Sequence, residues 1–60
     1  MLLSELYRVL PDNEDVLLIQ EESEFVLEVQ AKYIPAYLLD ATVKTVTMQE
    51  MTLLRIELAG

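Results

Sequence analysis

The sequence predicts a small α+β domain of two layers, in which helical segments lie on one face of an antiparallel four-stranded sheet. Apolar residues near the start recur at helical spacing, and four later segments have the alternating or β-branched character of strands. Polar or proline-containing segments separate these elements. The order is therefore helix, strand, strand, short helix, strand, strand. With 60 residues, the chain is long enough for one domain, which we take to span residues 1–60.

The first helix is predicted from apolar residues at positions 2, 3, 6, 9 and 10, which fall on one helical face. Ser4 is its candidate N-cap, and Glu5 then lies in the first turn, where the helix dipole favours an anion. Pro11 ends the helix, because proline disfavours helical conformation in the residue before it. A helix of two turns is not stable alone, so we expect its apolar face to pack on the sheet.

The first hairpin is predicted from two apolar segments joined by a polar connection. Residues 16–20 form a short apolar run bounded by polar clusters, which is typical of a buried strand. Residues 25–32 alternate between apolar and polar side chains, which is typical of a strand with one buried face. The connection has no Asn-Gly or Asp-Gly pair, so we expect a loop of about three to five residues.

The second half of the chain predicts a short helix and a second hairpin. Pro35 fits the first position of a helical turn that continues to Leu39. Residues 42–47 are rich in β-branched side chains and form the third strand. Residues 48–51 are the turn, and residues 52–58 are the fourth strand.

The register of the second hairpin follows from its apolar pattern. Pairing Thr47 with Thr52 gives the hairpin one consistently apolar face. The same register places Lys44 opposite Arg55, a like-charge pair that lowers stability. The pattern alone therefore leaves a shifted register open.

Composition and charge exclude several classes of function. The chain has no Cys and no His, which removes disulfides, the usual nitrogen and sulfur ligands of zinc, and the Ser-His-Asp and Cys-His arrangements of catalysis. Its net charge of −7 argues against direct binding to nucleic acid or to an anionic membrane surface. No apolar run is long enough to span a membrane, and we expect a cytoplasmic protein. We nominate no catalytic, cofactor-binding or metal-binding residue.

Two clusters of acidic residues are the groups in this sequence that most resemble a metal-binding set. They are Asp12, Glu14 and Asp15, and then Glu21, Glu22 and Glu24. An EF-hand loop needs a central Gly and a Glu at its twelfth position, but the Gly is missing and the twelfth position from Asp12 is Ser23. Because the clusters lie at opposite ends of a strand, on the order of 17 Å apart, we interpret them as solvated turns.

Three tyrosines and two methionines are candidate contact residues. Tyr7, Tyr33 and Tyr37 occur at helical spacings, and we interpret them as packing at the edge of the core rather than as an aromatic binding patch. Met48 and Met51 fall in the predicted turn, where they pack on the sheet or provide an adaptable apolar contact. Both readings of the methionines stay open.

A resemblance rests on three short stretches of the second half. They are Tyr33-Ile34-Pro35 with Leu38-Leu39-Asp40, then Val43 and Val46, and finally Leu54-Arg55-Ile56-Glu57-Leu58. With a short helix and an acidic turn ahead of them, these stretches resemble a group of very short uncharacterised proteins of bacteria, prophages and mobile elements. The chain departs from that pattern at Ala41 and at residues 48–51. The resemblance implies the fold and a phage or mobile-element setting, and it implies no activity.

The apolar content predicts self-association. Several apolar residues have no obvious place in a single two-layer core: Val26, Val46, Leu53, Leu18 and residues 1–3. Such surplus apolar surface usually marks an interface. We therefore expect a homodimer, formed through the outer face of the sheet or through an edge strand.

Two functions fit these observations. The first is a non-enzymatic module that binds another, unidentified protein. The second is an acidic decoy, in which the carboxylates of residues 12–28 take the place of nucleic-acid phosphates on a host DNA-binding or RNA-binding protein. Salt separates them, because screening weakens a contact between charges far more than an apolar contact.

Overall fold

The computed structural model describes residues 1–59, which form one short helix and a four-stranded sheet. The elements are α1 (Leu3–Tyr7), β1 (Asp15–Gln20), β2 (Phe25–Gln30), β3 (Val43–Glu50) and β4 (Leu53–Leu58). Single 3-10 turns lie at Glu21–Ser23, Ala31–Tyr33 and Ala36–Leu38. The four strands follow one another as predicted, but the helical content is smaller, and the molecule is mostly β.

The sheet is mixed, so the prediction of a wholly antiparallel sheet is wrong at its centre. Its strand order is β2-β1-β4-β3. Both predicted hairpins are antiparallel, whereas β1 and β4 run parallel beside each other. The segment between the two hairpins, residues 31–42, is long enough for the crossover that parallel neighbours need. The strands β1 and β4, which carry four of the eight buried core residues, thereby occupy the interior of the sheet.

The helix α1 is shorter than predicted and begins at a different cap. Its N-cap is Leu2, and Ser4 lies inside the helix. The N–H groups of Leu3 and Ser4 donate to the carbonyl oxygens of Ala41 and Leu39, at 2.8 and 2.9 Å. These carbonyls satisfy donors that a serine cap would otherwise serve, so the predicted cap is not needed. The bonds also tie α1 to the chain just before β3.

The predicted helix after Pro35 is a single 3-10 turn, in which Pro35 is the N-cap rather than the first helical residue. The turn covers Ala36–Leu38 and buries Leu38. The layer that covers the sheet therefore contains very little regular helix.

The second hairpin has a tighter turn and a different register from those predicted. Its turn is Met51–Thr52, so β3 continues to Glu50. Thr47 lies opposite Arg55, and the predicted pairing of Thr47 with Thr52 is wrong. The two-residue turn pairs Glu50 with Leu53, and the irregularity between Met48 and Glu50 then sets Thr47 opposite Arg55.

The core lies between one face of the sheet and a layer formed by α1 and residues 31–38. Its buried members are Leu3, Val16, Leu18, Ala31, Ile34, Leu38, Ile56 and Leu58. Leu3 and Leu18 are fully buried, so their assignment to surplus surface is wrong. Leu18 is buried because the central strand β1 presents alternate residues to the covering layer, and Leu3 is buried because it lies in α1, which is part of that layer.

Candidate functional site

The sheet has a second face, which we call the open face. Strand register assigns it Asp15, Leu17, Ile19, Val26, Glu28, Gln30, Thr45, Thr47, Glu50, Leu53, Arg55 and Glu57. Each of these residues is partly or fully exposed, whereas their neighbours along β1 and β4 include the buried core. The covering layer of α1 and residues 31–38 packs on the opposite face, so this face meets solvent.

Apolar side chains lie across the open face. Ile19 of β1 is directly opposite Val26 of β2, and Val26 is 64% exposed. Leu17 and Leu53 continue the apolar area on β1 and β4. Val26 and Leu53, two of the apolar residues with no obvious place in the core from sequence alone, therefore lie on one uncovered surface. Open antiparallel sheets usually carry polar residues on the solvent face, so these side chains are unexpected there.

Glu57 is the best organised charged group of the open face. The Thr45 hydroxyl donates a hydrogen bond to its Oε2 atom, and the Arg55 guanidinium lies 3.3 Å from its Oε1 atom. The hydrogen bond from Thr45, followed by that from Arg55, lowers the pKa of Glu57. Glu57 is therefore held as a carboxylate, which suits an ionic contact and not the donation of a proton.

The open face is acidic overall. Asp15, Glu28, Glu50 and Glu57 contribute four negative charges, and Arg55 contributes one positive charge, which leaves a net charge of −3 on this face. Arg55 is already paired with Glu57. The charge available to a partner therefore comes from carboxylates.

The two acidic clusters are kept apart by β1. Asp12 and Glu14 lie in the loop before this strand and Asp15 is its first residue, whereas Glu21, Glu22 and Glu24 lie in the turn after it. Within residues 1–59, no group of three acidic side chains is placed to hold a metal ion. The interpretation as solvated turns therefore does not extend to Asp15, which belongs to the open face of β1, and among the six acidic residues only Glu14 is partly buried.

A cleft lies where the loop before β1 meets the turn of the second hairpin. It has a volume of about 330 Å³, is open to solvent, and is lined by Pro11, Asn13, Glu14, Asp15, Met51 and Thr52. Its two carboxylates are those of Glu14, which is partly buried, and of Asp15, which is exposed.

Two of the three tyrosines are more exposed than predicted. Tyr7 packs at the edge of the core as predicted, but Tyr33 and Tyr37 are 66% and 73% exposed. The Lys32 ammonium lies 5.3 Å from the centre of the Tyr33 ring, which is a cation–π distance. Met51 is 96% exposed in the turn, so it does not pack on the sheet.

Comparison with protein families, with curated proteins and with solved structures gives no match for this chain. The resemblance to short prophage and mobile-element proteins stays a prediction. In residues 1–59, no helix has the length and apolar character to cross a membrane.

Proposed function

We propose that this chain is a non-enzymatic protein-interaction module that uses the open face of its sheet to bind a partner protein and that also forms a homodimer. The proposal depends on one observation, the uncovered sheet face on which Ile19 and Val26 lie side by side. Exposed apolar surface bordered by polar residues is the usual mark of a protein contact. A cytoplasmic location and a phage or mobile-element setting belong to the same proposal.

The chemistry of the open face favours a partner with apolar side chains flanked by basic ones. Ile19 and Val26 would contribute binding free energy when their side chains leave water. The carboxylates of Asp15, Glu28 and Glu50 would attract Lys or Arg at the rim of the contact. The salt bridge of Arg55 with Glu57 fixes both side chains on the face before binding. A preordered surface loses less conformational entropy when a partner docks.

A matched pair of variants tests this surface. Val26→Glu places a charge at the centre of the apolar pair, and Val9→Glu makes the same change at a residue that is 76% exposed and outside the sheet. Wild type, V26E and V9E serve as baits in a lysate of the native cell. We expect wild type and V9E to retain the same protein and V26E to lose it. Equal retention by all three baits contradicts a role for the open face.

The acidic decoy is the second candidate, and the distribution of carboxylates favours it. Six of the seven acidic residues between positions 12 and 28 are exposed, and within residues 1–59 none of them is in a salt bridge. The salt dependence of the affinity for the captured partner decides between the two candidates. If the decoy is correct, raising the salt from about 50 to 200 mM lowers the affinity steeply, as it does when a protein contacts several phosphates. An apolar contact on the open face changes little over that range.

A further inference from the structure

The strand register arranges the side chains of the open face in three rows. Each row crosses the sheet with one residue from each strand, in the order β2, β1, β4 and β3. The first row is Gln30, Asp15, Leu53 and Glu50, the second is Glu28, Leu17, Arg55 and Thr47, and the third is Val26, Ile19, Glu57 and Thr45. Neighbours in a row are about 5 Å apart, and successive rows are about 6.6 Å apart along the strands.

The apolar residues of these rows lie on one diagonal. It begins at β2 in the third row and ends at β4 in the first row, and we call it the apolar diagonal: Val26, Ile19, Leu17 and Leu53. Each member is next to the one before it, either on the adjacent strand or along β1. Val26 is 64% exposed, and the other three are partly exposed. The diagonal crosses two strand spacings and two row spacings, which gives it a length of about 16 Å.

The two sides of the apolar diagonal differ in charge. One side contains Asp15 and Glu28 and no basic residue, and we call it the acidic side. Within residues 1–59, neither of these carboxylates is in a salt bridge. On the other side Arg55 and Glu57 form an ion pair, and Glu50 contributes a single charge at the corner of the sheet. A partner on the diagonal therefore meets unpaired carboxylates along one flank and a largely neutralised surface along the other.

We propose that the partner protein contributes an amphipathic α-helix of about three turns, which lies along the apolar diagonal and carries Lys or Arg on the flank next to the acidic side. A length of about 16 Å corresponds to about eleven residues of helix at 1.5 Å per residue. Apolar side chains at i, i+4, i+7 and i+11 share one helical face over that length. The inference rests on the proposed function, and it specifies the structure of the partner segment and the placement of its charges.

A helix fits this surface better than an extended segment. The open face presents side chains, because the backbone groups of paired strands bond to their neighbours within the plane of the sheet. An extended segment laid across those side chains would bury N–H and C=O groups without partners, which is costly. A helix satisfies its own backbone internally. The apolar face of a helix docked on an apolar surface is also a recurring form of partner recognition.

Charge favours a basic helix over other occupants. A second copy of the chain would bring its own open face, and two faces that each carry −3 repel each other. Lys or Arg on one flank of a helix would lie beside Asp15 and Glu28. In the reversed direction the same flank would meet the Arg55 guanidinium, and contact between like charges opposes binding. The charges therefore also set the direction of the helix along the diagonal.

Three synthetic peptides test the helix. The first is a blocked, fluorescently labelled peptide based on alanine, with leucines at the spacing given above and lysines along one flank. The second has glutamates in place of the lysines. The third keeps the lysines and has a proline at its centre, which breaks the helix. Fluorescence anisotropy gives the dissociation constant of each peptide, and two-dimensional NMR spectra of the isotope-labelled protein locate the contact.

A matched pair of double variants tests the acidic side. Asp15→Asn with Glu28→Gln neutralises it, whereas Asp12→Asn with Glu22→Gln makes the same two changes at exposed residues outside the strands. Both double variants change the net charge equally, so a difference between them reports position rather than total charge. Circular dichroism establishes that each protein is folded.

We expect the lysine peptide to bind wild type with a dissociation constant below about 1 mM and to shift the NMR signals of the apolar diagonal. The glutamate and proline peptides should bind at least about tenfold more weakly. D15N/E28Q should weaken binding of the lysine peptide about fivefold or more, and D12N/E22Q less than about twofold.

Four results overturn the helix inference: no saturation by the lysine peptide below about 1 mM, NMR shifts confined to another surface, equal binding of the lysine and proline peptides, or equal binding of the lysine and glutamate peptides. Equal effects of the two double variants overturn the assignment of the acidic side. The proposed function is decided separately by the V26E and V9E baits. Loss of the cellular partner by V26E alone, together with failure of the lysine peptide, leaves the proposed function standing without the helix.

Discussion

Leu17 and Leu18 are neighbours in β1 that point to opposite faces of the sheet, so alanine at each position tests which face is covered. Leu18 is fully buried against the covering layer. Leu17 is partly exposed on the open face, between Glu28 of β2 and Arg55 of β4. The proposed function needs this difference, because a face that binds a partner must be uncovered in the free protein.

The expected magnitudes follow from what each side chain contacts. Leu→Ala removes the equivalent of about three methylene groups, or roughly 2.4 kcal/mol of transfer free energy at full burial. At Leu18 a cavity adds to this loss, so the free energy of unfolding should fall by about 3–5 kcal/mol. At Leu17 solvent fills the space and only part of the transfer term is lost, which gives about 1 kcal/mol. A chain of this size is stable by roughly 3–9 kcal/mol in total.

Urea unfolding followed by far-ultraviolet circular dichroism measures both variants. We expect L18A to be largely unfolded or to have a far lower urea midpoint, and L17A to fold with a midpoint slightly below that of wild type. Equal losses at the two positions, or a greater loss in L17A, would refute the assignment of faces. In that case the open face would be covered in solution, and the proposed binding surface would not exist in the free protein.

Two further changes test local features of the structure. Thr45→Val removes the strongest cause of the lowered pKa of Glu57. A lowered carboxyl pKa stabilises the fold above the unfolded value of about 4.5, and that contribution disappears as the pH falls through the folded value. The urea midpoint of T45V should therefore lie below that of wild type at pH 7 and approach it at pH 3, and a difference independent of pH would contradict this. Glu24 has a φ of 53°, in the left-handed region. Glu24→Gly should raise stability by about 0.5 kcal/mol, or a few degrees in Tm, whereas E24A should not, because alanine keeps the Cβ atom that disfavours this conformation. An equal gain in both would contradict that reason.

Local pattern was sufficient to predict the hairpins, because each depends on residues close together in the sequence. The alternation that begins at Phe25 defines β2, and the polar segment before it defines a short connection. The parallel pairing of β1 with β4 could not be predicted in this way. It joins residues nearly forty positions apart, and the pattern of a strand whose two faces are both apolar does not indicate the direction of its neighbour.

The open face was only partly visible in the sequence. Leu53, Arg55 and Glu57 alternate with core residues in β4, so one side of that strand could be assigned to solvent. In β1 both sides are apolar, and pattern alone could not assign Leu17 and Ile19 to the open face. Helical spacing misled the interpretation of Tyr33 and Tyr37, because the two residues lie in separate 3-10 turns with extended residues between them, and not in one helix.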